Sequence, residues 1–206
     1  MLYRAYAVAV ALCLAHTAHA HAAEPPALTL FENVRIFDGK SDTLSASKNV
    51  LVRGNKIEII SKDPIPIDGN AAAKIIAGGG RTLMPGLIDA HAMLVRPTPA
   101  ALLADDVGYL NLVAGAEATD TLMRGFTTVR DVGGPSFGLK RAIDEGLVAG
   151  PRIYPSGAII TITSGHGDFR HGHEVPRVLG APLSRQEQTG AAMVADSPDE
   201  VRVRVR

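Results

Sequence analysis

The stretch that decides the fold is Thr82–Leu94, "TLMPGLIDAHAML". Pro85-Gly86 opens it in a bend, and "LIDAHA" then reads as a buried apolar strand. Side chains two apart share a face of an extended strand. The pattern therefore predicts Leu87, Asp89, His91 and Met93 on one side, and Ile88, Ala90 and Ala92 on the other. Two histidines spaced His-x-His on such a strand would aim both imidazoles at one point, a spacing that suits Zn²⁺ or a similar borderline ion. Here the second position is Met93. A thioether is soft and neutral, and it suits Cu(I) far better than a hard, hydroxide-bridged centre.

Downstream, strand and helix signals alternate. "AALLADDVGYLNLVAGAEATDTLMRG" has helical spacing, with Leu110, Val113 and Glu117 in register and Gly125 at its end. "FTTVRDV" is β-branched and aromatic, a strand. "SFGLKRAIDEGL" is a helix that Ser136 can cap and Gly146 can stop. "RIYPSGAIITI" is a third strand. Such alternation predicts parallel βα units. Ser197, Pro198 and Glu200 make a helix start with a capping box. The closing "VRVRVR" has period two instead and offers no helical face. A signalled helix without a body leads us to expect a chain that stops early or has changed reading frame.

Upstream, Leu28 to about Arg81 reads as short strands broken by turns, a small antiparallel sheet. Gly54-Asn55 between two apolar runs signals a hairpin. Before that, Arg4, the apolar run Ala5–Ala15 and the small-residue patterns Ala18-His19-Ala20 and Ala20-His21-Ala22 form a Sec-type signal peptide. Its apolar run is shorter than the roughly 20 residues needed to span a bilayer. The expected division is residues 1–22 as signal peptide, 28–82 as an N-terminal β-sandwich segment and 83–206 as an incomplete (β/α)₈ barrel. The expected localisation is periplasmic or secreted, with no membrane association after cleavage.

Composition narrows the function classes. The 206 residues carry 21 basic and 21 acidic side chains, and this zero formal balance points to no nucleic-acid partner. The single cysteine, Cys13, lies in the leader, so the mature chain has no disulfide and no thiol nucleophile. His16, His19 and His21 also fall in or beside the leader and are discounted as ligands. His171 and His173 form a His-x-His on a glycine-rich loop, where nothing aims the rings at a common point. His166 sits in "TSGHGDFR", which reads as a flexible loop after the third strand. Asp131 ends the second strand on the same face as Thr127 and Val129, placed either to orient a ligand or to form a structural ion pair. Glu117 and Asp120 read as a solvated helix face.

Taken together, "LMPGLIDAHAML" and "RGFTTVRDVGGPSFGLKRAIDEGLVAGPRIYPSGAIITITSGHGDFR", with the leading β segment, resemble the amidohydrolase superfamily. The branch they are most similar to is the exported imidazolonepropionase-like and Xaa-Pro dipeptidase-like one. The resemblance covers about Leu28 to Glu200. It implies an α/β fold, a TIM-type barrel with a small β-sandwich flank. It also implies metal-dependent hydrolysis of amide or other C–N bonds in small amides, dipeptides or cyclic amides, with one or two divalent ions such as Zn²⁺. Residue by residue, only His91 matches a metal ligand; Met93 occupies its partner's place. His166 would border the substrate, and Asp131 would stand behind a ligand. The lysine, later histidines and aspartate that the resemblance also implies would fall beyond Arg206. Lys140 lies on a predicted helix and is not promoted.

A closed barrel needs about 250 residues, about twice what Leu83–Arg206 supplies. The expectation is therefore a partial barrel of about three βα units, poorly stable and inactive alone. The alternative is a non-catalytic exported binding or assembly fragment that keeps part of the fold without the metal and is able to form an oligomer through its open sheet.

Overall fold

The computed structural model describes residues 26–67, 73–95, 106–175 and 179–205. The expected signal peptide, 1–22, lies outside them. The chain divides into two compact units, one ending at Pro85 and the other beginning at Gly86.

The first unit is one five-stranded sheet. Its strands are β1 (Leu28–Ile36), β2 (Lys48–Arg53), β3 (Lys56–Ser61), β4 (Ala73–Ala77) and β5 (Thr82–Leu83). The order is β3-β2-β1-β4, with β5 also on β1. β2 and β3 are joined by the two residues Gly54-Asn55, as the sequence predicts, and Gly54 takes φ +58°. The expected all-antiparallel sheet is corrected on one side. Both β4 and β5 run parallel to β1. Gly78, just after β4, lies close against β1: a Cβ there would sit 2.4 Å from Val34 Cγ1, so this approach requires glycine. Leu28, Leu30, Leu51 and Ile65 form the core of this unit. Ile57 and Ile60 of β3 are 65% and 53% exposed on the remaining face.

The second unit holds a parallel sheet ordered β6-β7-β8, made of Leu87–Ala92, Phe126–Asp131 and Arg152–Pro155. Helix α1 (Val107–Met123) links β6 to β7, and α2 (Phe137–Asp144) links β7 to β8. Asp106 caps α1 by accepting the Tyr109 N–H at 2.9 Å. Gly125, at φ +96°, turns the chain out of its last turn. The buried stripe of α1 is Leu110, Ala114, Ala118 and Thr121, whereas Val113 is 39% exposed. The helix thus approaches the sheet through two alanines rather than through the larger side chains expected. Ala114 and Ala118 pack with Val129, Leu139 and Ile153 in a core that also takes Ala92, Leu94 and Val95. Burying a side chain the size of Ile153 contributes about 1.5–3 kcal/mol.

Three further expectations are revised. Ser136 stands at the N-cap of α2, but its hydroxyl makes no capping bond; it is fully buried beside the Asp131 carboxyl. The third strand breaks at Ser156-Gly157, where Gly157 has φ +87°. Its second half, β9 (Ile159–Thr161), leaves the β6–β8 sheet and pairs in parallel with β10 (Ala192–Val194). Finally, after the one-turn helix α3 (Arg185–Gln188), the closing segment forms helix α4 (Pro198–Val205) despite its period-two pattern. The Glu200 N–H donates to Ser197 Oγ at 3.3 Å, as the capping signal predicts. No residue of α4 is buried. Arg204 instead ties it down by donating to Glu187 Oε1 at 3.0 Å.

Candidate metal centre at the end of strand β6

β6 pairs with β7 in a register that shifts twice, once between Asp89 and Ala92. Asp89 lies beside Val129, and Ala92 lies beside Asp131. Three steps on β6 therefore match two on β7, which is a bulge. Neighbours across a sheet share a face, so Asp89 and Ala92 both fall on the side of Val129 and Asp131. The strict odd-even alternation predicted for this strand does not survive the bulge. Its cause is local. Asp89 Oδ1 accepts the His91 N–H at 2.8 Å, which takes that donor out of the ladder. Arg130 Nε donates to the Ala90 carbonyl at 2.8 Å, satisfying the acceptor that the bulge displaces.

His91 and Met93 are exposed, Met93 to 41%. With Asp89 they line a cavity of about 450 Å³ that also meets Glu117, Thr121 and Arg124 of the α1 end. Glu117 is not merely solvated there, since Arg124 donates to its Oε1 at 2.6 Å.

Asp131 is fully buried. Its Oδ2 accepts the Leu94 N–H at 2.8 Å, and its Oδ1 accepts the Gly133 N–H at 3.3 Å. Burial pushes its carboxyl above the ordinary range, against the pull of those two N–H groups. The carboxylate thus fastens the segment just after His91 and Met93 to the end of β7.

His166 lies on a differently built loop. Gly165 and Gly167 are there for close packing as much as for turning. A Cβ on Gly165 would lie 2.4 Å from Thr161 Oγ1, and one on Gly167 would lie 2.7 Å from Ile159 Cγ2. Asp168 accepts from Arg170 Nε and Nη2 at 2.8 and 2.6 Å and from the Ser164 N–H at 2.8 Å. Arg170, foremost, holds the Asp168 carboxyl down to about 2. Arg170 Nη2 also donates to Thr163 Oγ1 at 3.3 Å. Thr163 donates to Asp196 through both its N–H and its hydroxyl, at 2.7 and 2.6 Å. His166 projects from this network exposed. The Asp168–Arg170–Thr163–Asp196 network was not anticipated, although the Asp-x-Arg spacing in "HGDFR" was its signal. His171 and His173 stand exposed with their rings parallel, centroids 5.4 Å apart.

No direct side-chain hydrogen bond joins His91, Asp131 and His166 among the described residues. Nor, among them, does any group of three or more His, Cys, Asp or Glu side chains come together to hold a metal. At the end of β6 the donors are one imidazole and one thioether, beside an Asp89 carboxylate that already accepts the His91 N–H. That set does not fit a divalent ion that must carry a hydroxide, which wants several N or O ligands.

The comparisons with known proteins bear on the same segment. The amidohydrolase family model matches residues 82–205. The Aspergillus niger ochratoxinase is 31% identical over 143 residues, 60% of this chain and 28% of that protein. Among solved structures, a prolidase complexed with N-methylphosphonate-L-proline is 32% identical with a TM-score of 0.71, covering 87% of this chain and 43% of that one. A Xaa-Pro dipeptidase with bound methionine in the active site is 31% identical with a TM-score of 0.65, over the same shares of the two chains. The chain spans less than half the length of these relatives. Because the match extends from β5 to α4, more than half of the chain, the chain belongs to the amidohydrolase family, whose members are metal-dependent.

Proposed function

We propose that this chain is built for the hydrolysis of a C–N bond in a small amide, dipeptide or cyclic amide, and that these 206 residues do not turn over such a substrate unaided. The observation that carries the first half is the family match through His91, together with prolidase and Xaa-Pro dipeptidase neighbours at 31–32% identity. The second half rests on the donor set: His91 is matched with Met93, not with another imidazole. The β6–β8 sheet with its two helices then corresponds to part of a (β/α)₈ barrel. His91 is the ligand this chain contributes toward Zn²⁺ or a similar ion, His166 faces substrate, and Asp131 holds the ligand strand in place. The direct test is amide and dipeptide hydrolysis by the purified 206-residue chain with added Zn²⁺. No turnover is expected, and clear turnover overturns the inactivity. Met93→His is expected to add no tight Zn²⁺ binding, because two imidazoles remain too few. Stoichiometric binding by that variant would show that the chain assembles more of a centre than proposed.

Export belongs to the same proposal, supported by Arg4, the apolar run and the Ala-x-Ala patterns. The mass of the chain recovered from the periplasm or medium checks it, with cleavage after Ala20 or Ala22 expected. A second reading, a non-catalytic assembly fragment, is favoured by one feature: Ile88 of β6, paired with Thr128 of β7, is 70% exposed, a large apolar side chain left uncovered on the sheet. Light scattering that finds a dimer without metal would support it.

A further inference from the structure

His91 and Met93 flank Ala92, which is 8% exposed and packed into the core against α1. His91 and Met93 are both exposed, unlike Ala92 between them, and both line the same cavity. The backbone that carries them is pinned before any ion arrives. Asp89 holds the His91 N–H, Arg130 holds the Ala90 carbonyl and buried Asp131 holds the Leu94 N–H. Gly133 presents no side chain to Met93; a Cβ there would lie 3.3 Å from the sulfur. Two donors spaced on a fixed strand end lose little freedom on binding.

The identity of those donors selects the ion. One nitrogen and one uncharged sulfur are too few and too soft for a hydrolytic divalent centre. Thioether with imidazole suits soft d¹⁰ monovalent ions, which are content with two or three ligands. The local charge agrees. Arg124 occupies Glu117, so Asp89 is left as the carboxylate lining the cavity beside the pair, enough for a single positive charge. We propose that His91 and Met93 form a binding site for a soft monovalent cation of the Cu(I) and Ag(I) class. This site does not depend on the hydrolase reading, since it requires no turnover and no further ligand.

The test uses the full chain carrying Cys13→Ser, because the leader thiol would compete for a soft ion. Its methionines are labelled with ¹³C at the methyl group, and Ag(I) nitrate is titrated while the methyl signals are followed by NMR. The chain has five methionines, and Met84 and Met123, 48% and 80% exposed, serve as internal references. The Met93 methyl should move first and saturate at one equivalent, with Met84 and Met123 responding only at excess. His91→Ala should weaken the Met93 response at least tenfold, and Zn²⁺ should not move that signal. The proposal is overturned if Met93 responds no earlier than the two reference methionines. It is equally overturned if His91→Ala leaves its response intact, or if Zn²⁺ saturates it at the same stoichiometry.

Discussion

The end of β6 and the loop 163–170 each present one exposed histidine, and they are built on opposite plans. At β6 a single buried carboxylate, Asp131, holds two backbone N–H groups and has no charged partner. In the loop, Asp168 and Arg170 pair within hydrogen-bond distance, with side chains only 6% and 8% exposed, and Thr163 and Asp196 extend the network. A buried charge without a counter-charge is tolerated only where backbone donors replace water. A buried pair carries its own counter-charge but becomes a liability when one partner is removed.

That contrast can be broken most severely at the loop. Asp168→Ala should cost about 3–5 kcal/mol in chemical denaturation, because it removes the carboxylate paired directly with the nearly buried Arg170. A loss under 1 kcal/mol would mean that the guanidinium simply turns to solvent. At β6, Asp131→Ala should cost about 1–3 kcal/mol by orphaning the Leu94 and Gly133 N–H groups. Hydrogen exchange should quicken at those two amides before it does elsewhere.

Acid separates the two carboxylates by sign. Asp168 is depressed to about 2 in the fold. Its contribution is therefore complete above the unfolded value of about 4 and is lost as pH falls toward 2. Asp131 is raised, so protonation favours the folded state, and its effect runs the other way. Its stabilising share is complete below the unfolded value and disappears as pH rises through the folded one. Urea unfolding from pH 6 to pH 2 should flatten in Asp168→Asn and steepen in Asp131→Asn. The same direction of change in both variants would remove the distinction. The smallest effects belong to the histidines themselves: His91→Ala and His166→Ala should each shift stability by no more than about 0.5 kcal/mol, as exposed side chains do.

Much of this was legible in local signals. The hairpin at Gly54-Asn55, the end of α1 at Gly125, the capping by Ser197 and the βα alternation around "FTTVRD" all depend on contacts within a few residues, where sequence spacing is informative. The elements read wrongly depend on distant partners. β4 pairs in parallel with β1, which lies far from it along the chain, and β9 leaves its strand to pair with Met193 and its neighbours. The ends of α4 and α3 meet through Arg204 and Glu187, so a helix with no buried face still has an anchor. The candidate site shows the same divide. His91 and Met93 announced themselves by type and spacing, whereas the Arg130 bond to Ala90 joins residues forty positions apart.

By itself the sequence determined which donors stand at the end of β6, an imidazole followed two residues later by a thioether. It also determined that strands and helices alternate around that point, since hydrophobic period and turn residues act locally. Only the tertiary structure decided how those donors are held. The bulge after Asp89, the burial of Asp131 beneath Leu94 and the ion network under His166 arise when separate segments compete to satisfy one another's polar groups. That competition is settled by packing, not by the order of residues along the chain.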